Sequence, residues 1–262
     1  MKSLFRLLIC MPILLSTLWT SVSYSGPKDP QNYLKQAGGF VDLVDGSYVQ
    51  GSVSHGGLQP DYQIDLQDSD LQRFLQQVKK AVSESDVIRD LEMRRETGQA
   101  NLKKIELVTA LIQKALPGRS YTSGDYLAVL SEHRMANKDI SLGAYLRCQV
   151  GVCREFALIT HFALKAVGIE NKYVYIKVQL GTYIEDHAVV VIEDRGEKWI
   201  IDPYNTLYHG RSFADLTKGS AALAHPRSAP YAKASENYAI IVEINKYPLY
   251  WSPKPRCDGV FR

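Results

Sequence analysis

The fold is decided by one stretch, residues 149–205, which reads QVGVCREFALITHFALKAVGIENKYVYIKVQLGTYIEDHAVVVIEDRGEKWIIDPYN. A helical pattern begins at Cys153, because apolar side chains follow it at offsets that line one helix face. Gly168 then supplies the glycine that often follows a helix, and Gly151 suits a tight turn before it. A cysteine at a helix N-terminus meets free N–H groups and the positive end of the helix dipole. Both favour the thiolate, and the N–H groups can hold an oxyanion.

Strand-like runs follow the predicted helix. They are rich in β-branched and aromatic residues and span residues 172–180, 187–192 and 198–202. The sequence Glu-Asp-Arg-Gly at 193–196 predicts a four-residue hairpin loop between the last two runs. With that loop, His187 lies directly opposite Asp202 on one sheet face. The carboxylate can then orient one imidazole nitrogen and leave the other for the thiol of Cys153.

The same stretch resembles the transglutaminase-like superfamily of papain-type thiol enzymes. The matching segments are Gly-Val-Cys-Arg-Glu-Phe-Ala at 151–157, Asp-His-Ala-Val-Val at 186–190 and Trp-Ile-Ile-Asp-Pro-Tyr-Asn at 199–205. The resemblance implies an α+β fold with a papain-like core, in which a nucleophile at a helix N-terminus packs on an antiparallel sheet. It also implies that Cys153 is the nucleophile, His187 the base and Asp202 the residue that orients the base.

Two residues beside the predicted nucleophile depart from the cross-linking members of that superfamily. The animal cross-linking enzymes have Gln before the cysteine and Trp after it, whereas this chain has Val152 and Arg154. The resemblance therefore implies microbial protease-like or deamidase-like relatives. We expect a thiol enzyme that attacks an amide carbonyl of a protein or peptide substrate through a thioester, as a cysteine protease or glutamine deamidase. The alternatives are a non-enzymatic binding module, a true amine-transferring transglutaminase and, more distantly, an enzyme similar to arylamine acetyltransferases.

Other side chains in this stretch fit the catalytic roles less well. His161 lies eight residues beyond Cys153 on the same predicted helix. That spacing is about 12 Å along the axis, which exceeds the reach of a general base, so we expect His161 to be structural. Asp186 adjoins His187 and points to the opposite sheet face, which makes it a poor partner. Gln149 is a candidate oxyanion donor, although its spacing differs from that of papain-type enzymes.

The first residues have the pattern of a secretory signal peptide. Lys2 and Arg6 precede an apolar core at 7–18, and Ser-Tyr-Ser at 23–25 is a suitable cleavage site. We therefore expect export to the periplasm or secretion, with no stable membrane insertion after cleavage; the alternative is an uncleaved anchor. The formal charge of +3 falls to near neutrality without this segment and gives no indication of a nucleic-acid partner.

The cysteines do not have the spacing of a metal site. Cys148 and Cys153 are separated by four residues without a second close pair of ligands. The chain also has no phosphate loop or dinucleotide fingerprint, so we expect neither a metal nor a cofactor. If export brings the chain to an oxidising compartment and Cys153 stays free, Cys148 and Cys257 can form a disulfide or can both stay reduced.

The remaining sequence suggests a simple division of the chain. We predict a signal peptide at 1–25, a Gly-rich N-terminal arm at 26–68, a transglutaminase-like domain at 69–247 and a C-terminal tail at 248–262. The arm contains one predicted hairpin around Asp45-Gly46. Residues 70–116 predict helices, with a capping box formed by Ser69 and Gln72. Helices followed by antiparallel strands, including a last predicted strand at 238–244, indicate an α+β fold.

Overall fold

The computed structural model describes residues 33–34, 39–51, 60–180 and 183–217. The predicted signal peptide, the predicted strand at 238–244 and the C-terminal tail lie outside these residues. Helices and small sheets are combined in the described part, so the predicted α+β class is confirmed. No helix in these ranges is long and apolar enough to cross a membrane.

Helices and strands are numbered in chain order. The described helices are α1 (Ser69–Glu84), α2 (Asp86–Met93), α3 (Thr97–Ala115), α4 (Gly124–Met135), α5 (Leu142–Cys148), α6 (Cys153–Ala166) and α7 (Phe213–Thr217). The described strands are β1 (Tyr33–Leu34), β2 (Tyr48–Val49), β3 (Tyr62–Gln63), β4 (Ile140–Ser141), β5 (Lys172–Leu180), β6 (Tyr183–Asp194) and β7 (Glu197–Ile201).

Helices α1, α2 and α3 form the helical part predicted for residues 70–116. The start of α1 differs from the prediction, because Asp68 and not Ser69 is the N-cap. The Asp68 carboxylate accepts hydrogen bonds from the backbone N–H groups of Asp70 and Leu71, at 2.9 and 3.1 Å. A carboxylate can accept both bonds, and its charge also favours the positive end of the helix dipole.

The main sheet has the strand order β5-β6-β7, and both pairings are antiparallel. A two-residue turn, Arg195-Gly196, joins β6 to β7, with φ angles of 53° and 77°. The predicted four-residue loop is therefore wrong, and Asp194 pairs with Glu197. Two positive φ angles are typical of the two-residue turn whose twist matches that of the strands it joins.

The shorter turn also changes the relation between His187 and Asp202. Val190 pairs with Ile201, so the next residue, Asp202, extends towards Val189 and not towards His187. The predicted direct opposition is wrong by two residues. Side chains alternate between sheet faces with a period of two, so the offset keeps both side chains on the same face. They are diagonal neighbours, which still lie within reach of each other.

The second sheet has the strand order β1-β2-β3-β4 and consists of two-residue strands. The hairpin predicted around Asp45-Gly46 does not form across the expected segments. Val41 pairs with Tyr173 of β5, whereas β2 pairs with β3. The ring of His161 explains part of this arrangement, because its Nε2 accepts a hydrogen bond of 3.2 Å from the Leu43 N–H and so holds this segment against α6.

Helix α6 lies at the centre of the described core. All of its residues from Arg154 to Leu164 are buried, and the helix contacts α1, α3 and β6. A helix surrounded in this way belongs inside the domain, with neighbours on most of its faces. Its first residue, Cys153, lies at the edge of the core and is partly exposed.

Gly143 of α5 allows a close approach that fixes the segment before the nucleophile turn. A Cβ atom at this position would lie 1.7 Å from Oδ1 of Asp68. Asp68 is already fixed by its helix cap and by a hydrogen bond of 2.7 Å from Ser141. We predict that Gly143→Ala lowers the free energy of unfolding by about 1–3 kcal/mol, measured by urea denaturation.

The matched control for this change is Gly98→Ala in the first turn of α3. Nothing lies within 4 Å of a Cβ added to Gly98. Alanine favours a helix over glycine by up to about 1 kcal/mol, so this variant should be as stable as the wild type or more stable. Equal losses of stability in the two variants would contradict the packing explanation.

Candidate active site

The turn before α6 fixes Cys153 at a helix N-terminus. Helix α5 ends at Cys148, and the next residue, Gln149, adopts a left-handed conformation with a φ of 58°. The Glu155 carboxylate then reaches back to accept a hydrogen bond of 2.7 Å from the Val152 N–H. This is the bond from the third helical residue that stabilises a helix start. The first turn of a helix has N–H groups without helical acceptors, so Cys153 lies beside possible oxyanion donors.

The Glu155 carboxylate also joins the nucleophile turn to the N-terminal elements. Glu155 is 0% exposed. Oε1 accepts hydrogen bonds from the hydroxyl groups of Tyr62, at 2.6 Å, and Tyr126, at 3.1 Å. Burial and the charge of Glu155 raise the pKa of Tyr62, which keeps its hydroxyl protonated as a donor. The buried charge is therefore surrounded by hydrogen-bond donors, as a carboxylate in a protein core requires.

His187 and Asp202 form a buried hydrogen bond. The distance between His187 Nε2 and Asp202 Oδ2 is 2.6 Å, and both residues are 2% exposed. The second oxygen, Oδ1, accepts the backbone N–H groups of Tyr204 and Asn205, both at 3.0 Å. The backbone N–H of Asp202 donates to Nδ1 of His209 at 3.1 Å. These bonds fix the carboxylate, and the use of Nε2 leaves the Nδ1 of His187 for the thiol.

The electrostatic surroundings favour a charged His187 side chain. Burial lowers its pKa, but hydrogen bonds to Asp202 and Cys153, together with their charges, outweigh burial and raise the pKa of His187 to about 10. A second carboxylate oxygen, Oε1 of Glu185, lies 3.8 Å from Nδ1. The Tyr208 hydroxyl donates a 2.8 Å hydrogen bond to that same oxygen. The histidine is thus suited to hold a proton beside the thiol.

Two tyrosine rings surround the histidine. The ring centroids of Tyr208 and Tyr204 lie 5.0 and 6.2 Å from that of His187. Tyr204 follows the Asp202-Pro203 pair, so the same turn supplies both the carboxylate and an aromatic neighbour of the imidazole. Such rings limit the access of water to the hydrogen bond between His187 and Asp202, which strengthens it.

The structure brings the three predicted site residues into one cluster. His187 is hydrogen-bonded to Asp202, and Cys153 is close enough to contribute to the raised pKa of His187. Their catalytic roles stay predictions. Asp186 is exposed and takes no part in this cluster. The ring of His161 lies elsewhere, where Nδ1 contacts Oδ1 of Asn171 at 2.6 Å, in keeping with the structural role expected for it.

Several residues of the cluster were not assigned a role from the sequence. Glu155 lies three residues after Val152, and this helix-capping spacing was a usable signal. Glu185 precedes His187 by two residues, and this spacing in a strand predicts that the two side chains share a sheet face. His209 lies in a loop after Asp202, and its contact with that residue depends on a chain reversal that no periodic pattern indicates.

The described cysteines differ in state. Cys148 is disulfide-bonded, and Cys153 is a free thiol. The sequence had left open whether Cys148 would be oxidised. Across residues 33–34, 39–51, 60–180 and 183–217, no group of three or more His, Cys, Asp or Glu side chains could hold a metal ion.

The sequence model of a family described as Transglutaminase-like domain matches residues 71–224. The match covers more than half of the 262 residues and includes Cys153, His187 and Asp202. The chain belongs to the transglutaminase-like domain family. The resemblance noted in the sequence is thereby confirmed. A comparison of this transglutaminase-like protein with curated proteins gave no significant match, and neither did a comparison with solved structures.

The raised pKa of His187 makes the stability of the transglutaminase-like domain depend on pH. A histidine in an unfolded chain has a pKa of about 6.5, whereas that of His187 is about 10. Its protonation stabilises the fold fully below pH ~6.5, and this contribution is lost as the pH rises through ~10. We predict that the difference in unfolding free energy between wild type and His187→Gln shrinks by an amount on the order of a few kcal/mol over this range.

Urea denaturation at several pH values measures this difference. His133→Gln on α4 is the control, because His133 lies outside the site and its Nδ1 contacts the Val129 carbonyl at 2.8 Å. The control removes general effects of alkaline pH from the comparison. A difference between wild type and His187→Gln that stays constant from pH 6 to pH 10.5 would be incompatible with a raised pKa at this histidine.

Proposed function

We propose that this transglutaminase-like domain is an exported thiol enzyme that hydrolyses an amide of a protein or peptide substrate, as a cysteine protease or a glutamine deamidase. The observation that carries the proposal is the buried imidazole of His187, which is hydrogen-bonded to Asp202 and whose pKa is raised by Asp202 and Cys153 together. A histidine held between a carboxylate and a partly exposed thiol is the arrangement that activates a cysteine nucleophile.

The proposed reaction passes through a thioester. His187 holds the proton that comes from Cys153, and the sulfur attacks the amide carbonyl. The C–N bond then breaks as His187 gives that proton to the leaving amine or ammonia. Water attacks the thioester next and gives a proton to His187, and the C–S bond breaks as the sulfur leaves. Asp202 keeps the imidazole oriented and balances its charge throughout.

The arrangement of elements supports a papain-like catalytic core. Cys153 is the first residue of α6, which contacts the strand β6 that carries His187. Asp202 directly follows β7. The order of nucleophile helix, base strand and acid strand is the one that the family resemblance implied. The N–H groups of the first turn of α6 are suitable donors for the oxyanion of the tetrahedral intermediate.

Hydrolysis is favoured over amine transfer by the residues around the nucleophile. Val152 and Arg154 replace the Gln and Trp of the cross-linking enzymes. Whichever nucleophile reaches the thioester decides the product, and no second-substrate feature is evident in the sequence. A peptide amine as leaving group defines a protease, and ammonia from a glutamine side chain defines a deamidase.

Export is supported by two features. The first 25 residues have the three-part pattern of a signal peptide. Cys148 is disulfide-bonded, and disulfides persist mainly in oxidising compartments such as the periplasm and the extracellular space. We therefore propose that the enzyme acts in the periplasm or outside the cell.

The reactivity of Cys153 tests the first step of this proposal. We predict that limiting iodoacetamide at about pH 6 labels Cys153, because a neighbouring histidine that holds the proton leaves the sulfur nucleophilic. His187→Ala should slow the labelling by about tenfold or more, whereas His133→Ala should leave it unchanged. Peptide mapping by mass spectrometry measures both rates. Faster labelling of another cysteine, or equal rates in the two variants, would refute the assignment.

The reaction type is tested with a glutamine-containing protein mixture and a labelled primary amine. Mass spectrometry scores cleaved peptide bonds, conversion of glutamine to glutamate, and amine incorporation. We predict cleavage or conversion that Cys153→Ala abolishes and that Asp202→Asn lowers by about 10²-fold or more in a folded protein. Efficient amine incorporation would instead identify a true transglutaminase. No product with a reactive Cys153 would favour a binding module.

A further inference from the structure

Arg154, the residue after the predicted nucleophile, is a buried cation with unused hydrogen-bond donors. It is 7% exposed, and its Nε and Nη1 atoms have no hydrogen-bond partner among the residues that the structure describes. Its Cζ lies 5.8 Å from the ring centroid of Tyr62 and 5.7 Å from that of Tyr175. Cation–π contacts of this kind attract the charge but do not satisfy the N–H groups of the guanidinium.

The neighbouring acid does not use these donors. Both oxygens of Glu155 already accept other hydrogen bonds, from the Val152 N–H and from two tyrosine hydroxyl groups. Burial lowers the pKa of Arg154, but its electrostatic interactions with Tyr62 and Glu155 raise that pKa above its ordinary value, so the guanidinium stays charged. Buried charged donors in native proteins are normally paired, so an acceptor is expected here.

A second buried donor without a described hydrogen-bond partner lies near Arg154. The hydroxyl of Tyr173 is also buried without a hydrogen-bond partner in the described ranges. Burial raises its pKa, so it is protonated, and the charges of both Arg154 and Cys153 act on it. The same two charges act on Tyr175, which is only half-buried. Arg154, Tyr173 and Tyr175 therefore lie near one another and near Cys153.

We propose that Arg154 binds a carboxylate that the substrate carries next to the attacked amide, with the Tyr173 hydroxyl as a second donor. This inference rests on the proposed thiol function of Cys153. The α-carbons of residues 153 and 154 are about 3.8 Å apart, so the Arg154 side chain begins beside the predicted nucleophile. The substrate is then an amide flanked by either a free α-carboxylate or an acidic side chain.

The chemistry of the Arg154 side chain favours a carboxylate over other anions. Each edge of a guanidinium combines Nη2 with either Nε or Nη1, so a planar carboxylate can accept two parallel hydrogen bonds along either edge. A monoanion neutralises the single charge of Arg154. A phosphate dianion would add a second negative charge near Glu155, which like-charge repulsion disfavours.

Two alkylating reagents of nearly equal shape test the proposal. Iodoacetate carries a carboxylate one carbon from its reacting atom, and iodoacetamide is its neutral counterpart. The probe is the ratio of their labelling rates at Cys153, each normalised to the rate with free glutathione. We expect iodoacetate to be favoured in the wild type and the normalised ratio to fall by about tenfold or more in Arg154→Gln, as the loss of a charged hydrogen bond implies.

Two further variants separate recognition from folding and from general charge. Arg154→Lys keeps the buried charge opposite Glu155 but loses the fork, so it should fold and give a lower ratio than the wild type. Arg147→Gln is the control, because Arg147 pairs with Asp70 at 2.8 Å and has a side chain that is 46% exposed. The control should keep the wild-type ratio. A normalised ratio unchanged in both Arg154 variants would overturn the proposal.

The two possible sources of the carboxylate are separated by protection from iodoacetamide. N-acetylalanine offers a free α-carboxylate, N-acetylaspartic acid α-amide offers a side-chain carboxylate, and N-acetylalaninamide is the neutral control. Selective protection by the first or the second compound supports the proposal and identifies the source. Protection by neither charged compound, with rapid labelling of Cys153, would contradict carboxylate binding and leave the thiol function intact. Failure of iodoacetamide to label Cys153 would overturn both.

Discussion

The hydrogen bond between His187 and Asp202 is the interaction on which the candidate site depends. It joins His187 in β6 to Asp202, the residue that follows β7. The bond is buried, and its two atoms are 2.6 Å apart. The two-residue turn between β6 and β7 sets the register that brings the two side chains to one face. The backbone of the loop after Asp202 then holds the second carboxylate oxygen, so neither partner can rotate freely.

Periodic patterns in the sequence were sufficient to predict the elements that carry the site. The apolar spacing after Cys153 and the glycine at 168 predicted α6, and the observed helix starts at Cys153 and ends two residues before Gly168. The bounds of β5 match the predicted run of residues 172–180. These predictions succeeded because the local spacing of apolar residues indicates which side chains are buried on a helix face or in a central strand.

The hairpin register, the pairing of Val41 and the cap of α1 could not be predicted from the spacing of apolar residues. The hairpin register depends on whether two or four residues form the turn, and Glu-Asp-Arg-Gly is compatible with both. The partner of Val41 is a strand more than a hundred residues away, so the prediction of a local hairpin failed. Asp68 displaced Ser69 as the helix cap since a carboxylate can accept two backbone N–H groups.

Two buried residues of opposite charge, Arg154 and Glu155, directly follow the predicted nucleophile. Glu155 has its oxygens occupied by donors, whereas Arg154 has donors to spare. Burial of a charge is unfavourable unless it is paired or hydrogen-bonded, so the two residues differ in what they still require. Glu155 therefore stabilises the turn before α6, whereas Arg154 is suited to bind a ligand.

The coupling of Cys153, His187 and Asp202 is tested most directly by NMR titration of the His187 ring nitrogens in ¹⁵N-labelled protein, compared with the same titration in Cys153→Ala. We expect both ring nitrogens to be protonated at pH 7 and to titrate near pH 10 in the wild type. The pKa of His187 should fall in Cys153→Ala, because the thiol contributes to raising it. A neutral ring at pH 7 that titrates near the ordinary value of about 6.5, unaffected by Cys153→Ala, would contradict a coupled Cys153, His187 and Asp202 site.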